Sequence, residues 1–495
     1  MKTTRTNKVL LLTTANIGMG IIHVLTVPFL VRYMSVVDYG IYGQGLLITT
    51  SVASFFYLGL SSVIYIFYSR NETLGASIFK TSISICFISG MLATLTVFLV
   101  SDLVSVHFDN PQLSYLLKIY CACLLFDIPF SVVYATLINY GLIKRAVISN
   151  FLPAVLRIVL LFVAIHVFYS LTTIFVLLLA WSVVHFVFAF LLLPKEVLQP
   201  SRFDPDLARR MLKIGIPYAI SGLFSYLFLT SDEVMVSLMS SVRNYAYYHA
   251  GAIFIPFVAN VYASIATVLL PELSSLYAES KLRTIVDLKR RAILTTAALV
   301  YPGVIFILIF STPIITAYLT SKYEQSVPVF FVYNLLILLK INEFSDILLV
   351  ASRTKRISLV VFSCLLLNII LNYFLIKEIG IVGSAIATVI SGTVQIAVLL
   401  YLSCKTLECR ILEYFDVKRI TLIALASAIA PASLYSILPI SGNIFVLFLQ
   451  GVVCLCISYY ILIKTRLLDI EVIRPITRQI PYLNGLTNRL FPSAK

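Results

Sequence analysis

With 495 residues, 60% of them hydrophobic and only 12% charged, the chain carries about half the charge of an average soluble domain and is excluded from that class. Its net charge of +15 comes from Lys and Arg in short segments between apolar runs, which fits contact with anionic lipid headgroups and excludes a nucleic-acid binder. Eight cysteines show no paired spacing such as C-x-x-C, so they indicate neither a metal site nor a disulfide framework.

A hydrocarbon core of ~30 Å is crossed by roughly 20 apolar helical residues, and runs of that kind recur along the chain. They are expected near Val9 to Val31, Ile41 to Tyr68, Ser82 to Ser101, Leu113 to Leu137, Val147 to Tyr169, Thr172 to Leu193 and Ile214 to Met239. Further runs follow at Ala246 to Leu270, Ala292 to Thr320, Val327 to Val350, Ser358 to Ile376, Ile381 to Ser403, Thr421 to Leu438 and Ile444 to Ile463. These spans, about fourteen in all, are too long and continuous for the roughly ten-residue strands of a membrane barrel, so the fold class is an all-α integral membrane protein. Met1 to Lys8 is basic and leads into a run longer than a signal peptide's apolar region, without an A-x-A-like cleavage site. It reads as the start of a retained first helix.

Cytoplasmic loops hold the excess of Lys and Arg. With the amino end inside, Arg32, Arg243, Lys322 and Lys377 fall in outer loops, Lys118, Arg157 and Lys340 fall within spans, and the rest of the 37 lie on the inner side. Both termini are therefore expected in the cytoplasm.

The stretch "VVDYGIYGQG", Val36 to Gly45, returns as "VRNYAYYHAG", Val242 to Gly251. Aligning Tyr39 on Tyr245, an offset of 206 residues, brings Asp38 over Asn244, Tyr42 over Tyr248 and Gly45 over Gly251. Lys144-Arg145 is matched by Lys355-Arg356 at an offset of 211. Six spans lie between the copies, so the halves are expected to be parallel repeats. Each copy alone reads as a tight outer turn with interfacial tyrosines. The expected division is an N-terminal lobe over 1–193, a cytoplasmic linker over 194–213, a second lobe of six helices over 214–403, two further helices over 404–463 and a cytoplasmic tail over 464–495. Pro271 to Arg291, with Leu273, Leu276, Leu282, Ile285 and Leu288 set among charges, reads as an interfacial amphipathic helix.

"LLNIILNYFLIKEIGIVGSAIATVIS", Leu366 to Ser391, has two Asn four apart, a charged break and then small residues at helical spacing. It resembles helices eleven and twelve of the polysaccharide and oligosaccharidyl-lipid flippases, relatives of the multidrug and toxin extrusion transporters. "FDPDLARRMLKIGIPYAISG" is similar to that family's opening of the second lobe, "LLPELSSLY" to its inner linker after helix eight, and "SKYEQSVPVF" to its outer loop before helix ten. The resemblance covers nearly the whole chain. It implies translocation, without covalent chemistry, of a polyprenyl-diphosphate-linked oligosaccharide across a bacterial cytoplasmic membrane by alternating opening of two lobes. Membrane lipids, and the polymerase and chain-length machinery of polysaccharide assembly, are the partners it implies; no cofactor is implied beyond Na+ or H+ as coupling ion.

Within that resemblance, Arg157 lies about ten residues into helix five, roughly 15 Å deep, where its planar fork suits a diphosphate. A structural pair with Asp127 on helix four is the alternative. Lys118 and Lys340 are further diphosphate candidates, although Lys118 is near enough to the surface to snorkel and Lys340 can pair with Glu343 three residues on. In the lipid II flippase branch, sodium is held by an acid on helix seven, polar side chains four apart on helix eleven and a Thr on helix twelve. Asp232, Asn368, Asn372 and Thr388 stand at matching positions, all with oxygens suited to a hard cation, and structural glue between helices is the alternative. That branch has an acid where this chain has Asn372, and arginines on helices one, two and eight that are missing here. The departure favours surface-polysaccharide repeat units, such as O-antigen or capsule, over the cell-wall precursor.

Two other classes compete. A membrane glycosyltransferase requires acidic metal ligands in an outer domain, whereas Asp204-Pro-Asp206 faces the cytoplasm just before a helix, where Asp is a favoured cap. A drug and cation extruder shares the fold but calls for an acidic pocket in the first lobe, and helices one and two carry no acid within the membrane.

Overall fold

Backbone N–H and C=O groups cannot stay unpaired in hydrocarbon, and this apolar chain meets that constraint with helices alone among its described residues. The structure, a computed structural model, describes residues 5–70, 75–168, 170–437 and 442–468. Most of the tail expected over 464–495, and Met1 to Thr4, lie outside the described residues.

Two compact units are formed, Met1–Ala250 and Gly251–Lys495. In the first, α1 (Arg5–Tyr33), α2 (Val36–Phe56), α3 (Leu60–Arg70), α4 (Gly75–His107) and α5 (Pro111–Tyr120) are followed by α6 (Leu124–Asn139), α7 (Ile143–Val163), α8 (Leu171–Leu191), α9 (Pro205–Met239) and α10 (Val242–Gly251). In the second, α11 (Pro256–Ala278), α12 (Leu282–Ile309), α13 (Ser311–Leu319), α14 (Ser326–Leu335) and α15 (Asp346–Val350) precede α16 (Thr354–Ile379), α17 (Ile381–Thr406), α18 (Ile411–Tyr414), α19 (Val417–Ile437) and α20 (Ile444–Lys464). The first unit packs α4 on α5 and α6, α2 on α9, and α1 on α7. The second packs α16 on α17, and α12 on α19 and α20.

Among the described residues, 11 helical segments are long and apolar enough to cross a membrane. Three expected spans are not among them. The run at Val9 to Val31 contributes a shorter apolar segment, Gly18–Tyr33. That at Ala246 to Leu270 is divided where α10 ends and Pro256, which cannot donate a backbone N–H, opens α11. That at Val327 to Val350 is interrupted, because its helix loosens into a 3-10 turn at Leu336–Leu338 and resumes only at Asp346.

The repeated stretch is not a turn. Ser35 caps α2, its Oγ accepting from the Asp38 backbone N–H at 3.1 Å and donating to Asp38 Oδ2 at 2.7 Å. Ser241 stands at the equivalent place before α10, and its Oγ accepts from the Asn244 backbone N–H at 3.3 Å. The echo is therefore a duplicated helix start, with a serine satisfying an orphan N–H of the first turn. Lys144-Arg145 and Lys355-Arg356 likewise begin α7 and α16. The glycines serve close packing within the first unit: a Cβ on Gly40 would sit 2.5 Å from the Val242 carbonyl, and one on Gly43 would sit 3.0 Å from the Tyr245 ring.

Pro271 to Arg291 is not one interfacial helix either. Pro271 lies inside α11, the chain turns at Glu279 to Lys281, and α12 begins at Leu282. Leu273 and Ile285 are fully buried and serve the core of the second unit, while Leu276, Leu282 and Leu288 are half-buried.

Candidate functional site

Arg157 is carried by α7, 14 residues from the helix start and hence roughly 21 Å along its axis. Three other helices of the first unit bring polar groups within electrostatic range of it: Tyr42 from α2, Tyr120 from the end of α5, and Asp127 from the first turn of α6. Both tyrosines are buried. Asp127 acts on Arg157 through space, with Ser182 and Cys123 near its carboxyl. Among the described residues no direct ion pair closes the guanidinium on a carboxylate, so its fork is not consumed by an internal carboxylate. The position of Asp127 follows from a break, since the 3-10 turn at Cys121–Cys123 divides α5 from α6.

Lys118 is held elsewhere. Its ammonium donates to both carboxylate oxygens of Asp102 at 2.7 and 2.8 Å, in a partly exposed pair joining α5 to α4. Lys340 is exposed beyond the 3-10 turn, and the expected helical pairing with Glu343 is not formed, because no helix spans both residues. Glu343 instead accepts from Ser345 Oγ at 2.6 Å.

The four residues matched to a cation site are divided between the units. Asp232, on α9 of the first unit, accepts from Tyr248 Oη at 2.7 Å. Beside it Glu233 pairs with His249 Nδ1 at 3.2 Å, and the Tyr245 ring stacks on His249. Asn368, Asn372 and Thr388 belong to the second unit, where they form one chain of hydrogen bonds between α16 and α17. Asn372 Nδ2 donates to Asn368 Oδ1 at 2.8 Å, and Asn368 Nδ2 donates to Ser391 Oγ at 3.0 Å and to Thr388 Oγ1 at 3.4 Å. Ser384 Oγ completes it by donating to Asn372 Oδ1 at 2.5 Å. A further chain in the first unit runs from Asn110 Nδ2 to Gln44 Oε1 and from Gln44 Nε2 to Ser237 Oγ, each 2.8 Å long.

The largest omission from the sequence-based expectations is Lys289. It lies on α12 at 0% exposure, ion-paired with Asp346, and it also donates to Asn342 Oδ1 at 3.0 Å and to the Glu343 carbonyl at 3.2 Å. All three partners come from the interrupted segment before and at the start of α15, so one ammonium gathers the irregular backbone. Glu233 and His249 are likewise new as a pair. An i-to-i+16 pairing has no helical periodicity by which to find it.

Arg290, the neighbour of Lys289, pairs with Asp416 in the turn before α19, and Arg419 reinforces that carboxylate. Partial burial works to raise the Asp416 pKa, but the hydrogen bonds from Arg290 and from the Arg419 backbone N–H prevail and hold it below the usual carboxylate range. A depressed folded-state pKa stabilises above the unfolded value and ceases to do so as pH falls through the folded one. Thermal melting in detergent is therefore expected to weaken as pH falls below about 4, and Asp416→Asn to melt lower at neutral pH with a shallower acid loss. The shift will be small, because Arg290 is 40% exposed and screened by solvent. An acid limb identical in wild type and variant contradicts this.

Asp204 Oδ1 accepts from the backbone N–H groups of Asp206 and Leu207, both at 3.0 Å, so Asp204 is the N-cap of α9.

With this geometry in place, comparison with known proteins is informative. A polysaccharide biosynthesis protein family matches residues 6–277, more than half of the chain. Among solved structures, the lipid II flippase MurJ in an inward-closed conformation superposes with a TM-score of 0.67 at 18% identity, covering 92% of this chain and 99% of that one. An inward-facing multidrug resistance MATE family transporter of the MOP superfamily gives a TM-score of 0.63 at 16% identity, covering 80% and 94%. At these identities the likeness concerns the fold. No curated protein sequence matches the chain. The chain is a multi-pass membrane protein and belongs to the polysaccharide biosynthesis protein family.

Proposed function

We propose that this protein is a flippase that carries polyprenyl-diphosphate-linked oligosaccharide repeat units, of the O-antigen, capsule or exopolysaccharide kind, from the inner to the outer leaflet of a bacterial cytoplasmic membrane. It works by alternating access, with both termini cytoplasmic, and performs no covalent chemistry. A glycan diphosphate cannot shed its hydration in hydrocarbon without replacement partners. The observation that carries the reading is Arg157, a guanidinium deep in a membrane-spanning helix, with Tyr42, Tyr120 and Asp127 around it and no carboxylate among the described residues closing its fork. Membership of a polysaccharide biosynthesis family and a fold shared with a lipid II flippase support a lipid-linked glycan as cargo.

Movement of the cargo is coupled to Na+ or H+ in this reading. The polar chain of Asn368, Asn372 and Thr388 and the acid pair Asp232 and Glu233 are the candidate groups. Lys118 and Lys340 have secondary roles at most, since one is paired with Asp102 and the other is exposed.

Deleting the gene tests the function. Polyprenyl-linked repeat units are expected to accumulate on the cytoplasmic side while surface glycan disappears. No accumulation, together with new sensitivity to a cationic drug, would instead identify an extruder.

A further inference from the structure

The two copies of the repeated stretch meet each other inside the first unit. At the offset of 206 residues, α1 and α9 end at counterpart positions, Tyr33 and Met239, and α2 and α10 begin at counterpart positions, Val36 and Val242. Gly40 faces Ala246, its own counterpart, since a Cβ on Gly40 would lie 3.3 Å from the Ala246 Cβ. Gly43 faces its counterpart His249 in the same way, where an added Cβ would be 3.1 Å from the ring. The contacts are also reciprocal. Gly43 lies against Tyr245, while Tyr39, the counterpart of Tyr245, lies against His249 with ring centroids 5.7 Å apart. Residues that meet their own counterparts, with reciprocal pairs beside them, are the mark of a two-fold contact. Here the two-fold relates repeats within one chain, so the seam of α2 with α9 and α10 is a place where one repeat touches the other.

On its side of this seam α2 presents glycines and uncharged polar groups. Gln44 is fully buried; its Oε1 accepts from Asn110 Nδ2 and its Nε2 donates to Ser237 Oγ, each at 2.8 Å, so it ties α2 and the start of α5 to α9. Farther along, the hydroxyls of Thr50 and Tyr226 are 2.8 Å apart. A neutral hydrogen bond contributes only about 0.5–1.5 kcal/mol net, because water offers the same groups equivalent partners once they are exposed. Glycine against Ala246 and His249 also leaves no interlocked side chain to be withdrawn. Parting this seam into water therefore costs little, as an equilibrium between two conformations of similar energy requires.

Taken with the flippase reading, on which this step rests, we infer that the seam of α2 with α9 and α10 is a clasp that the transport cycle breaks and remakes, with Gln44 and Ser237 as its latch. A carrier built from two repeats passes its cargo by rocking one against the other, so contacts on the repeat axis at one face of the membrane are made in one state and lost in the next. The clasp is closed in this structure. Glu233 and His249 belong to it, with His249 against Gly43 on one side and paired with Glu233 at 3.2 Å on the other. One pair of candidate coupling groups thus lies on the surface that parts.

Locking the clasp tests it. In purified full-length protein carrying Gln44→Cys and Ser237→Cys, a short bis-methanethiosulfonate joins the two thiols, and translocation of lipid-linked oligosaccharide is followed in vesicles by protection from an impermeant glycosidase. Linked protein is expected to lose translocation and to regain it when a reductant cuts the bridge. Each single variant, treated in the same way as a control for the eight native cysteines, is expected to be unaffected. Linked protein that translocates as fast as it does after reduction overturns the clasp. A second measurement decides the matter where the thiols do not link or the double variant is inactive. Labelling of Ser237→Cys by a water-soluble maleimide, above the wild-type background, is expected to be severalfold faster during turnover than at rest. Equal rates in the two conditions show a permanent contact and overturn the clasp. Wild-type protein that leaves the glycan protected would instead sink the flippase reading, whatever the bridge does.

Discussion

Lys289→Ala is expected to destabilise the protein by about 3–5 kcal/mol, the cost of leaving a buried charge without its partner. The residue is inaccessible to solvent, and its ammonium is the partner of Asp346, Asn342 and the Glu343 carbonyl. Removing it strands the Asp346 carboxylate and releases the stretch from Ile341 to Ser345, which lies in no helix. Replacing both ions by apolar residues of similar volume, Lys289→Met with Asp346→Leu, removes the stranded charge and is expected to recover most of the loss. Unfolding in detergent can be followed with a thiol-reactive dye, because Cys86, Cys364, Cys404 and Cys454 are buried and react only when the core opens. A single variant that melts with wild type would show that the pair is dispensable. A double variant as unstable as the single one would show that the segment needs the ions themselves.

Arg157→Ala is expected to abolish surface glycan without lowering the amount of folded protein, and Arg157→Lys to retain part of it. Lysine keeps the positive charge but loses the planar fork that can engage two phosphate oxygens at once. The tyrosines offer a graded companion result: Tyr42→Phe removes a hydroxyl that acts electrostatically on the guanidinium, and its effect should be smaller than that of either Arg157 variant. Unchanged surface glycan in a stably produced Arg157→Ala protein would leave the residue a packing role only.

These expectations follow from features that differ in how visible they are in the sequence. Arg157 stands out because it is the only Lys or Arg within a largely apolar run from Val147 to Tyr169, and an isolated charge at that depth needs a reason. Its neighbours Tyr42 and Tyr120 were not legible, since nothing in the spacing of three separate helices says which side chains meet. Lys289 was hidden by its company. In "DLKRRAIL" it reads as one of several interfacial charges, and only the fold shows that it points inward while Arg290 reaches Asp416.

The duplicated stretch shows the opposite error. Its glycines and tyrosines suggested a turn, but Ser35 and Ser241, one position ahead of each copy, carry the capping signal that starts a helix. The glycines then serve helix contact, which local sequence statistics cannot separate from turn formation. Breaks within spans were also missed: Leu58–Gly59 and the segment after Leu338 lie inside hydropathy windows that average over them. Hydropathy reports that a segment is apolar enough to cross. It does not report whether the helix is continuous, and here the interruption after Leu338 lies beside the Lys289–Asp346 pair.

The most direct measurement of the central proposal is translocation itself. Purified protein is reconstituted into vesicles containing the host's polyprenyl-diphosphate-linked oligosaccharide, and a membrane-impermeant glycosidase is added outside. Inner-leaflet glycan is expected to become accessible within minutes in vesicles with wild-type protein and to remain protected with Arg157→Ala. Protection that is the same with wild-type protein as in protein-free vesicles would contradict the account.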